Sequence, residues 1–391
     1  MIYLDYNATT PLSPAAREAM LPYLEKFFGN PSSGHAAGRQ ARAAIDSARD
    51  RIASIIGAKP NEIVFTGGGT ESNNLAVLGL ARAHAGAGHH IVSCRTEHHA
   101  VLNAVEQLER EGFRVSWIGV DRDGVIDLDQ LRDSLGDETI LVSIMTANNE
   151  TGVIQPMAEI SEICRSRRVL LHSDMVQSFG KMENDPVAAG LVDAASFAAH
   201  KFYGPKGAGF LYLRSGLSVQ PILFGGAHEN QRRPGTEDVA AIVGMAEAAA
   251  QARLDEKERL REERLRDRLW QGIKEHWASA MQNGAGAPRL PNTLNVIFRA
   301  VDSETLLIAL DLEGVCASSG SACMVGSVTP SHVLMAMGLS REDAASAVRF
   351  SLGKPTTEEE IEQTIAIVGK LARRWQERIG SQGRQVLAAA T

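Results

Sequence analysis

Short apolar runs and segments of helical periodicity alternate through the first two-thirds of the chain. In segments such as Ala36–Ile56 and Met157–Arg167, apolar residues recur every three or four positions, which places them on one helix face. The apolar runs are rich in β-branched residues and short, as is typical of strands. We expect strands at Ile63–Thr66, His90–Ser93, Arg114–Ile118, Ile140–Thr146, Val169–Ser173, Ala194–Ala198 and Gly209–Leu213. This alternation predicts an α/β fold with a mostly parallel sheet, which binds ligands beyond the carboxyl ends of its strands.

A second, smaller α/β unit is predicted near the C-terminus. The charged, alanine-rich stretch Met245–Trp277 indicates one long helix or two consecutive helices with a solvated face. Strands are expected at Leu294–Phe298 and Val348–Ser351, and Thr357 and Glu360 have the spacing of a capping box before a last amphipathic helix. The predicted domains are 15–255 for the large unit, and 1–14 with 256–391 for the small unit.

Composition narrows the class of protein. The chain has 391 residues, 44% of them hydrophobic and 22% charged, as in globular proteins of two or three domains. A net charge of -7 disfavours non-specific binding to nucleic acid. No signal peptide or apolar run of about 18 residues is present, so we expect no membrane span. Sparse cysteines without a CxxC pair favour a reduced, cytoplasmic protein without a metal site.

Chemically reactive side chains follow the ends of several predicted strands. Lys201 comes after Ala194–Ala198 and before a Gly/Pro turn. It is either a surface lysine or a Schiff-base former whose ammonium pKa is lowered by partial burial. Asp174, with Gln177 three positions on, ends another strand. It is either a helix N-cap or a carboxylate that keeps a proton on a pyridine nitrogen.

A glycine-rich turn joins the strand at Ile63–Thr66 to a predicted helix. The amides of Gly68, Gly69 and Thr70, together with the helix dipole, form an anion site unless the motif is only a tight turn. The motif is neither GxGxxG nor the GK[ST] of a Walker loop, which disfavours dinucleotides and nucleoside triphosphates. We therefore expect a single phosphate group at this turn.

Histidines and asparagines follow two further strands. His98 and His99 come after His90–Ser93, and Asn148 and Asn149 come after Ile140–Thr146. Each pair alone is explained by turn chemistry. Together with the phosphate turn, the aspartate and the lysine, however, they indicate one ligand site at the carboxyl edge of the sheet.

Ordered motifs cover almost the whole chain, namely YLDYNATT, FGNPSS, EIVFTGGGTESNN, TEHHAVL, NNETGVIQP, HKFYGPKG, RPGTED, SSGSAC and VRFSLG. In this combination the sequence resembles the cysteine desulfurases of the nitrogenase and iron–sulfur assembly group, within the class-V aminotransferase family. The resemblance implies a fold-type-I, aspartate-aminotransferase-like transferase that uses pyridoxal 5'-phosphate. It also implies L-cysteine as substrate, a homodimer with its sites at the interface, and a sulfur acceptor such as an iron–sulfur scaffold protein.

The resemblance also implies a role for each reactive group. Lys201 is expected to hold the cofactor and to move the Cα proton, while His98 stacks on the cofactor ring. Asp174 is expected to pair with the ring nitrogen. Asn149 and Arg349 are expected to receive the substrate carboxylate, which suits the planar fork of arginine. The implied cofactor-binding residues are Gly69, Thr70, His98, Asp174, Gln177, His200, Lys201 and Thr236 of the partner subunit.

Cys323 lies in ASSGSACMVGS, a run of small residues within a loop of about 318–332. A lone cysteine is often only a small buried hydrophobe. By resemblance, however, Cys323 is the nucleophile that takes the substrate sulfur as a persulfide and carries it to an acceptor. The attacking species is a thiolate, and His98 is our candidate to receive its proton. We expect Cys94 and Cys164 to be structural and Cys316 to lie in the core.

Two positions depart from the family pattern. Ala198 stands where the family has serine, which removes one hydroxyl donor to the phosphate. Met175 stands where the family has a small alanine beneath the ring, so either the ring shifts or the methionine bends away. His99 has no implied role.

Alternative functions remain at this point. Another pyridoxal-phosphate activity, such as a selenocysteine lyase or an aminotransferase, shares the fold, but a transaminase needs no thiol at Cys323. A non-catalytic scaffold or sulfur carrier does not need Lys201, Asp174 and Arg349 together. The sulfur acceptor is open among iron–sulfur clusters, thiolated tRNA and a nitrogenase pathway.

Overall fold

The computed structural model describes residues 1–182, 185–252, 255–320 and 330–389, with side chains as far as 375. They divide into two compact units. The large unit comprises Thr9–Asn149 and Val153–Leu254. The small unit comprises Met1–Ala8, Glu150–Gly152 and Asp255–Thr391. Among the described residues, no helix combines the length and the apolar character needed to cross a membrane.

A seven-stranded sheet forms the centre of the large unit, in the order β2-β8-β7-β6-β5-β3-β4. Only the pairs that involve β8 are antiparallel, which confirms the predicted mostly parallel sheet. After β1 (Ile2–Tyr3) of the small unit, its strands are β2 (Ile63–Thr66), β3 (His90–Cys94), β4 (Arg114–Ile118), β5 (Thr139–Ser143), β6 (Leu170–Asp174), β7 (Ala194–Ala198) and β8 (Gly209–Leu213).

Helices cover both faces of this sheet with two apolar clusters, which explains why its central strands are buried throughout. Helix α2 follows the predicted periodicity, with Ile45, Ile52 and Ile56 buried, and it ends at Gly57 in the left-handed conformation (φ 69°). The helices of the large unit are α1 (Pro14–Glu25), α2 (Ala36–Ile56), α3 (Gly69–His84), α4 (His99–Arg110), α5 (Leu128–Ser134), α6 (Met157–Ser166) and α7 (Val239–Ala252).

A buried polar ladder crosses the centre of the sheet. His172 of β6 lies 2.8 Å through Nδ1 from Ser143 Oγ of β5, and 2.9 Å through Nε2 from Ser196 Oγ of β7. The histidine has no exposed surface, and this burial lowers its pKa to about 3. The ring is therefore neutral and satisfied, and it fixes the register of the strands that end at the candidate site.

The small unit has an antiparallel sheet, β12-β10-β9, and a parallel pair, β1 with β11. The helical prediction over Met245–Trp277 resolves into two helices, α7 and α8. The capping box is confirmed, because the Thr357 and Glu360 side chains each accept the other's backbone N–H at 3.2 and 3.0 Å. The remaining elements are α8 (Glu256–His276), β9 (Met281–Gln282), β10 (Thr293–Ile297), α9 (Ser303–Leu312), β11 (Val315–Cys316), α10 (His332–Ala336), α11 (Arg341–Ala345), β12 (Ala347–Ser351) and α12 (Glu358–Ala389).

Candidate active site

Lys201 lies at the carboxyl edge of the sheet, in a single 3₁₀ turn (Ala199–Lys201) directly after β7. Thr10 makes hydrogen bonds to the backbone of the residues on both sides of Lys201. The Thr10 amide and hydroxyl donate to the His200 carbonyl at 2.9 and 3.0 Å, and the Tyr203 amide donates to Thr10 Oγ1 at 2.7 Å. Tyr203 has a positive φ of 66°, so the chain turns sharply after the lysine. The half-buried Lys201 is thus held on a fixed backbone.

Asp174 is the last residue of β6, and 6% of its surface is exposed. Both of its carboxylate oxygens accept hydrogen bonds. Asn73 Nδ2 donates to Oδ2 at 2.6 Å, and the Val176 amide donates to Oδ1 at 2.9 Å. Asn73 Oδ1 is buried and lacks a hydrogen-bond partner among the described residues. The carboxylate is therefore fixed in orientation at the strand end neighbouring that of Lys201.

The predicted phosphate turn leads into α3, which begins at Gly69, with Gly68 as its N-cap at φ 147°. A Cβ atom at Gly69 would lie 2.8 Å from Val176 Cγ2 and 3.3 Å from Ala198 Cβ. Only glycine fits this cradle without movement of a neighbour. The helix N-terminus presents its unpaired amides here, and Thr70 is exposed.

His200 is neutral at physiological pH. Burial, and then the charges of Lys201 and Lys206, lower its pKa to about 4, and its Nδ1 lies 3.2 Å from Thr9 Oγ1. A neutral imidazole binds a phosphate as a hydrogen-bond donor rather than as a cation.

His98 caps helix α4, because its Nδ1 accepts the Ala100 amide at 3.1 Å. A neutral ring bonded in this way carries its proton on Nε2. The His98 ring can accept a further proton only by releasing the Ala100 amide.

Glu97, the residue before His98, has no exposed surface and accepts the Met145 amide at 2.7 Å. Burial raises the pKa of Glu97 well above its usual range, because the charged carboxylate loses its hydration there.

The other predicted residues of the large unit are also placed. Asn149 is half-buried after β5, Gln177 is 5% exposed, and Thr236 is exposed ahead of α7. Met175 is 1% exposed and packs in the main apolar cluster, which agrees with a methionine that bends away. Ala198 lies beside the Gly69 cradle, where the missing serine hydroxyl was expected.

Arg349 belongs to the small unit, in β12, with 2% of its surface exposed. Its Nη2 lies 2.8 Å from Asp5 Oδ1, so a carboxylate orients the guanidinium.

Cys323 lies outside the described residues. Cys94 and Cys164 are buried as expected, and burial raises their pKa to about 11 and about 12. Cys316 is only partly buried, so the prediction that it lies in the core is wrong: it is in the two-residue strand β11, which pairs with β1 at the edge.

Asn73, Thr10 and Asp5 were not identified as site residues from the sequence. Asn73 lies one helical turn after Gly69, and this spacing is a signal that it faces the same edge as the glycine turn. Thr10 and Asp5 occur in the motif YLDYNATT but carry no spacing rule that indicates their contacts.

These residues fit pyridoxal phosphate. The turn at Gly69 lies at the N-terminus of a helix and has no room for a Cβ atom. Such a turn lets backbone amides approach a phosphate group closely. A buried aspartate with both oxygens held suits a protonated pyridine nitrogen, and a lysine at the neighbouring strand end suits a Schiff base. Among the described residues, no cluster of histidine, cysteine and acidic side chains could hold a metal ion.

The chain is similar to known proteins over nearly its whole length. The family model for class-V aminotransferases matches residues 2–364, and the chain belongs to this family. It is 46% identical over 373 residues to the cysteine desulfurase IscS of Dictyoglomus turgidum, covering 95% of this chain and 94% of that protein. It is 48% identical over 377 residues to the cysteine desulfurase IscS of Escherichia coli, covering 94% and 92% of the two chains.

Solved structures give the same result. A NifS-like protein superposes with a TM-score of 0.87 at 36% identity, covering 95% of this chain and 98% of that one. A structure of SspA in complex with cysteine superposes with a TM-score of 0.81 at 34% identity, covering 91% and 100%. The predicted family and the fold-type-I α/β architecture are therefore confirmed.

Proposed function

We propose that this protein, a pyridoxal-phosphate-dependent cysteine desulfurase, converts L-cysteine to L-alanine by transferring sulfur to Cys323. The observation that carries the proposal is the arrangement of Asp174, Lys201 and the Gly69 cradle at one edge of one sheet. The enzyme class and cofactor are those of the relatives, which match over nearly the whole chain.

Bound pyridoxal phosphate withdraws electrons from the substrate carbons, which makes the Cα proton acidic and weakens the Cβ–S bond. Asp174 keeps a proton on the ring nitrogen, and its bonds from Asn73 and Val176 hold it in place for this task. Lys201, once its amine is free, removes the Cα proton as general base. The hydrogen bonds of Thr10 hold the backbone on both sides of Lys201, which keeps the amine within reach of the Cα proton.

Asn149 and Arg349 bind the substrate carboxylate in this proposal. Arginine suits the role because two parallel N–H bonds fix both the position and the direction of a carboxylate. Asp5 holds the guanidinium in orientation before the substrate arrives, which supports the assignment.

Cys323 then takes the sulfur. Its thiolate attacks the substrate sulfur, so an S–S bond forms and the Cβ–S bond breaks. The electron pair of the broken bond stays on the substrate carbon, which takes up a proton to become the methyl group of alanine. The thiol and L-cysteine are thus converted to a persulfide and alanine, with no other oxidant or reductant. His98 moves a proton in this step when its ring releases the Ala100 amide.

The proposal also includes a second subunit and a protein that accepts the sulfur. A homodimer, in which Thr236 of the partner subunit binds the cofactor phosphate, agrees with the exposure of Thr236 in the single chain. The persulfide passes to an acceptor protein in iron–sulfur cluster assembly, and the enzyme acts in the cytoplasm.

The test is to incubate the holoenzyme with L-cysteine and a thiol reductant and to measure alanine and sulfide together. We expect equal amounts of both from the wild type and neither from Cys323→Ala. Cys316→Ala removes a nearby thiol with no assigned role and is expected to behave as wild type. A Cys323→Ala variant as active as the wild type would show that another group takes the sulfur.

A further inference from the structure

Glu71 of α3 binds two segments of the chain, the phosphate turn before its own helix and the loop that carries Thr236. Its Oε2 accepts the Gly67 amide at 2.7 Å. Arg233 donates to the same carboxylate through two nitrogens, from Nε to Oε1 at 2.7 Å and from Nη2 to Oε2 at 3.3 Å. One side chain therefore joins the phosphate turn to a loop 162 positions further along the chain.

The contact is close and partly shielded from water. A Cβ atom added at Gly67 would lie 2.8 Å from Glu71 Oε2, so the backbone of the turn packs directly on the carboxylate. The exposed fractions of the Glu71 and Arg233 side chains are 19% and 23%. Ions screen such a half-buried pair less than a pair on the open surface, so this contact can hold two segments together.

The loop that carries Thr236 is anchored to α2 on both sides of that residue. Arg49 donates to both carboxylate oxygens of Glu229, at 2.6 and 2.8 Å, and Arg42 donates to Glu237 at 3.0 Å. Glu229 and the two residues after it all have positive φ, from 47° to 65°. Residues other than glycine keep this conformation only where surrounding contacts hold them. The loop thus depends on side-chain contacts for its shape.

We propose that Glu71 is a positioning residue for two cofactor sites. Through Gly67 it fixes the phosphate turn of its own subunit, and through Arg233 it fixes the loop whose Thr236 completes the site of the partner subunit. Glu71 does not bind the phosphate itself, because the two charges have the same sign. The inference rests on the proposed function, because it needs a homodimer in which Thr236 binds the phosphate across the interface.

The two residues of the ion pair then differ in which site they affect. Glu71→Ala releases both the Gly67 amide and Arg233, so both sites should bind the cofactor more weakly. Arg233→Ala leaves the contact of Glu71 with Gly67 in place, so only the site of the partner subunit should be weakened. A general loss of stability would not sort the two variants in this way.

Mixed dimers of the full-length protein test this difference. Two chains with different affinity tags are co-expressed, and dimers that contain one of each are purified and freed of cofactor. One chain keeps Lys201 and the other carries Lys201→Ala, so only one site can hold pyridoxal phosphate through a lysine. The dimers are titrated with pyridoxal phosphate, borohydride reduction fixes the cofactor to Lys201, and mass spectrometry counts it. The dissociation constant therefore describes one site, which takes its phosphate turn from the first chain and Thr236 from the second.

In the Lys201→Ala chain, we expect Thr236→Ala, Glu71→Ala and Arg233→Ala each to raise this dissociation constant. The increase should be about fivefold to tenfold, the scale of one hydrogen bond to a charged group. The double variant of Glu71 and Arg233 should match the single variants, because each breaks the same contact. In the chain that keeps Lys201, Glu71→Ala should again raise the dissociation constant, whereas Arg233→Ala should leave it unchanged.

Glu111→Ala is the matched control. Glu111 also binds an arginine of α3 through two nitrogens, since Arg82 Nε and Nη2 donate to it at 3.0 and 2.6 Å near the other end of the helix. This variant should give the wild-type dissociation constant in either chain.

The outcomes separate the inference from the function on which it rests. If Thr236→Ala acts from the Lys201→Ala chain and the Glu71 and Arg233 variants do not, the inference is wrong and the proposed function stands. Equal effects of Arg233→Ala in both chains would also overturn the inference. If wild-type chains with different tags do not co-purify, or Thr236→Ala has no effect from the Lys201→Ala chain, the proposed shared site fails, and the inference fails with it.

Discussion

Asn73 Nδ2 donates to Asp174 Oδ2 at 2.6 Å, although the two residues are 101 positions apart in the chain. Asn73 is on the first turns of α3, the helix whose N-terminus forms the phosphate cradle, and Asp174 ends β6. One helix therefore serves both ends of the proposed cofactor: its amides face the phosphate, and its fifth residue orients the carboxylate for the ring nitrogen.

Asn73→Leu keeps the branched shape of the side chain but removes the donor, leaving Asp174 Oδ2 without a buried hydrogen bond. We expect the dissociation constant for pyridoxal phosphate to rise about tenfold, since a hydrogen bond to a charged group contributes about 1.5 kcal/mol. The measurement is titration of the apoenzyme with cofactor, followed by absorbance. Asn61→Leu, a substitution at an exposed asparagine, is the control. Equal affinity in the Asn73 variant and the control would show that Asp174 is oriented without Asn73.

Gly69→Ala tests the phosphate cradle. The new methyl group would press on Val176 Cγ2 at 2.8 Å, so the turn must shift and the phosphate loses aligned amides. We expect at least a tenfold loss of cofactor affinity. The double variant Gly69→Ala with Val176→Ala should recover part of the loss, because truncation of the valine makes room. Absence of any recovery would mean that the alanine acts through the backbone of the helix start instead. Gly86→Ala is the control for a glycine with open space.

Much of the fold was predictable because strand-forming runs in this chain are bounded by turns. Four strands of the large sheet begin and end where expected, at Ile63–Thr66, Arg114–Ile118, Ala194–Ala198 and Gly209–Leu213. The predicted strand Ile140–Thr146 is too long at its end, because burial continues beyond the observed strand, which ends at Ser143. Ile144 and Thr146 still donate to the His172 and Asp174 carbonyls of β6 at 3.1 Å, but the Met145 amide between them is bound by the Glu97 side chain rather than by a strand. Apolar sequence indicates burial, and it does not indicate where the backbone stops pairing as a strand.

The candidate site was predictable as a set of strand ends but not as a set of contacts. Parallel strands bring Asp174 and Lys201 to one edge, and this follows from topology alone. The contacts of Asn73 with Asp174 and of Glu71 with Arg233 join positions far apart in the chain, and no periodicity indicates such pairs. That Glu150–Gly152 pack with the C-terminal residues was likewise not predictable from local pattern.

Ala198→Ser restores the hydroxyl that the family carries at this position. Ala198 Cβ lies 3.3 Å from the site of a Cβ on Gly69, so the new hydroxyl would reach the phosphate cradle. We expect cofactor affinity to increase about fivefold, the contribution of one hydrogen bond of about 1 kcal/mol. Ala195→Ser, on the same strand but in the apolar cluster, should give no increase. An unchanged affinity in Ala198→Ser would indicate that the phosphate is already fully bonded by other groups.

His172 should make the stability of the protein depend on pH in a defined window. Its folded-state pKa is about 3 because of burial, whereas in the unfolded chain it is near 6.5. Below pH 6.5 the unfolded chain therefore binds a proton that the folded protein excludes, so the contribution of His172 is lost as pH falls toward about 3. The slope for one such group is about 1.4 kcal/mol of unfolding free energy per pH unit.

The measurement compares the wild type with His172→Gln by denaturant unfolding at several pH values. The glutamine does not titrate, so between about pH 6 and pH 4 the stability of the variant should fall less steeply than that of the wild type. Above about pH 7 the two curves should run parallel, with the variant lower because Ser143 and Ser196 lose a well-placed partner. Parallel curves throughout the acidic range would show that the His172 ring takes up a proton within the folded sheet. The full burial of the ring between two serine hydroxyls argues against that outcome.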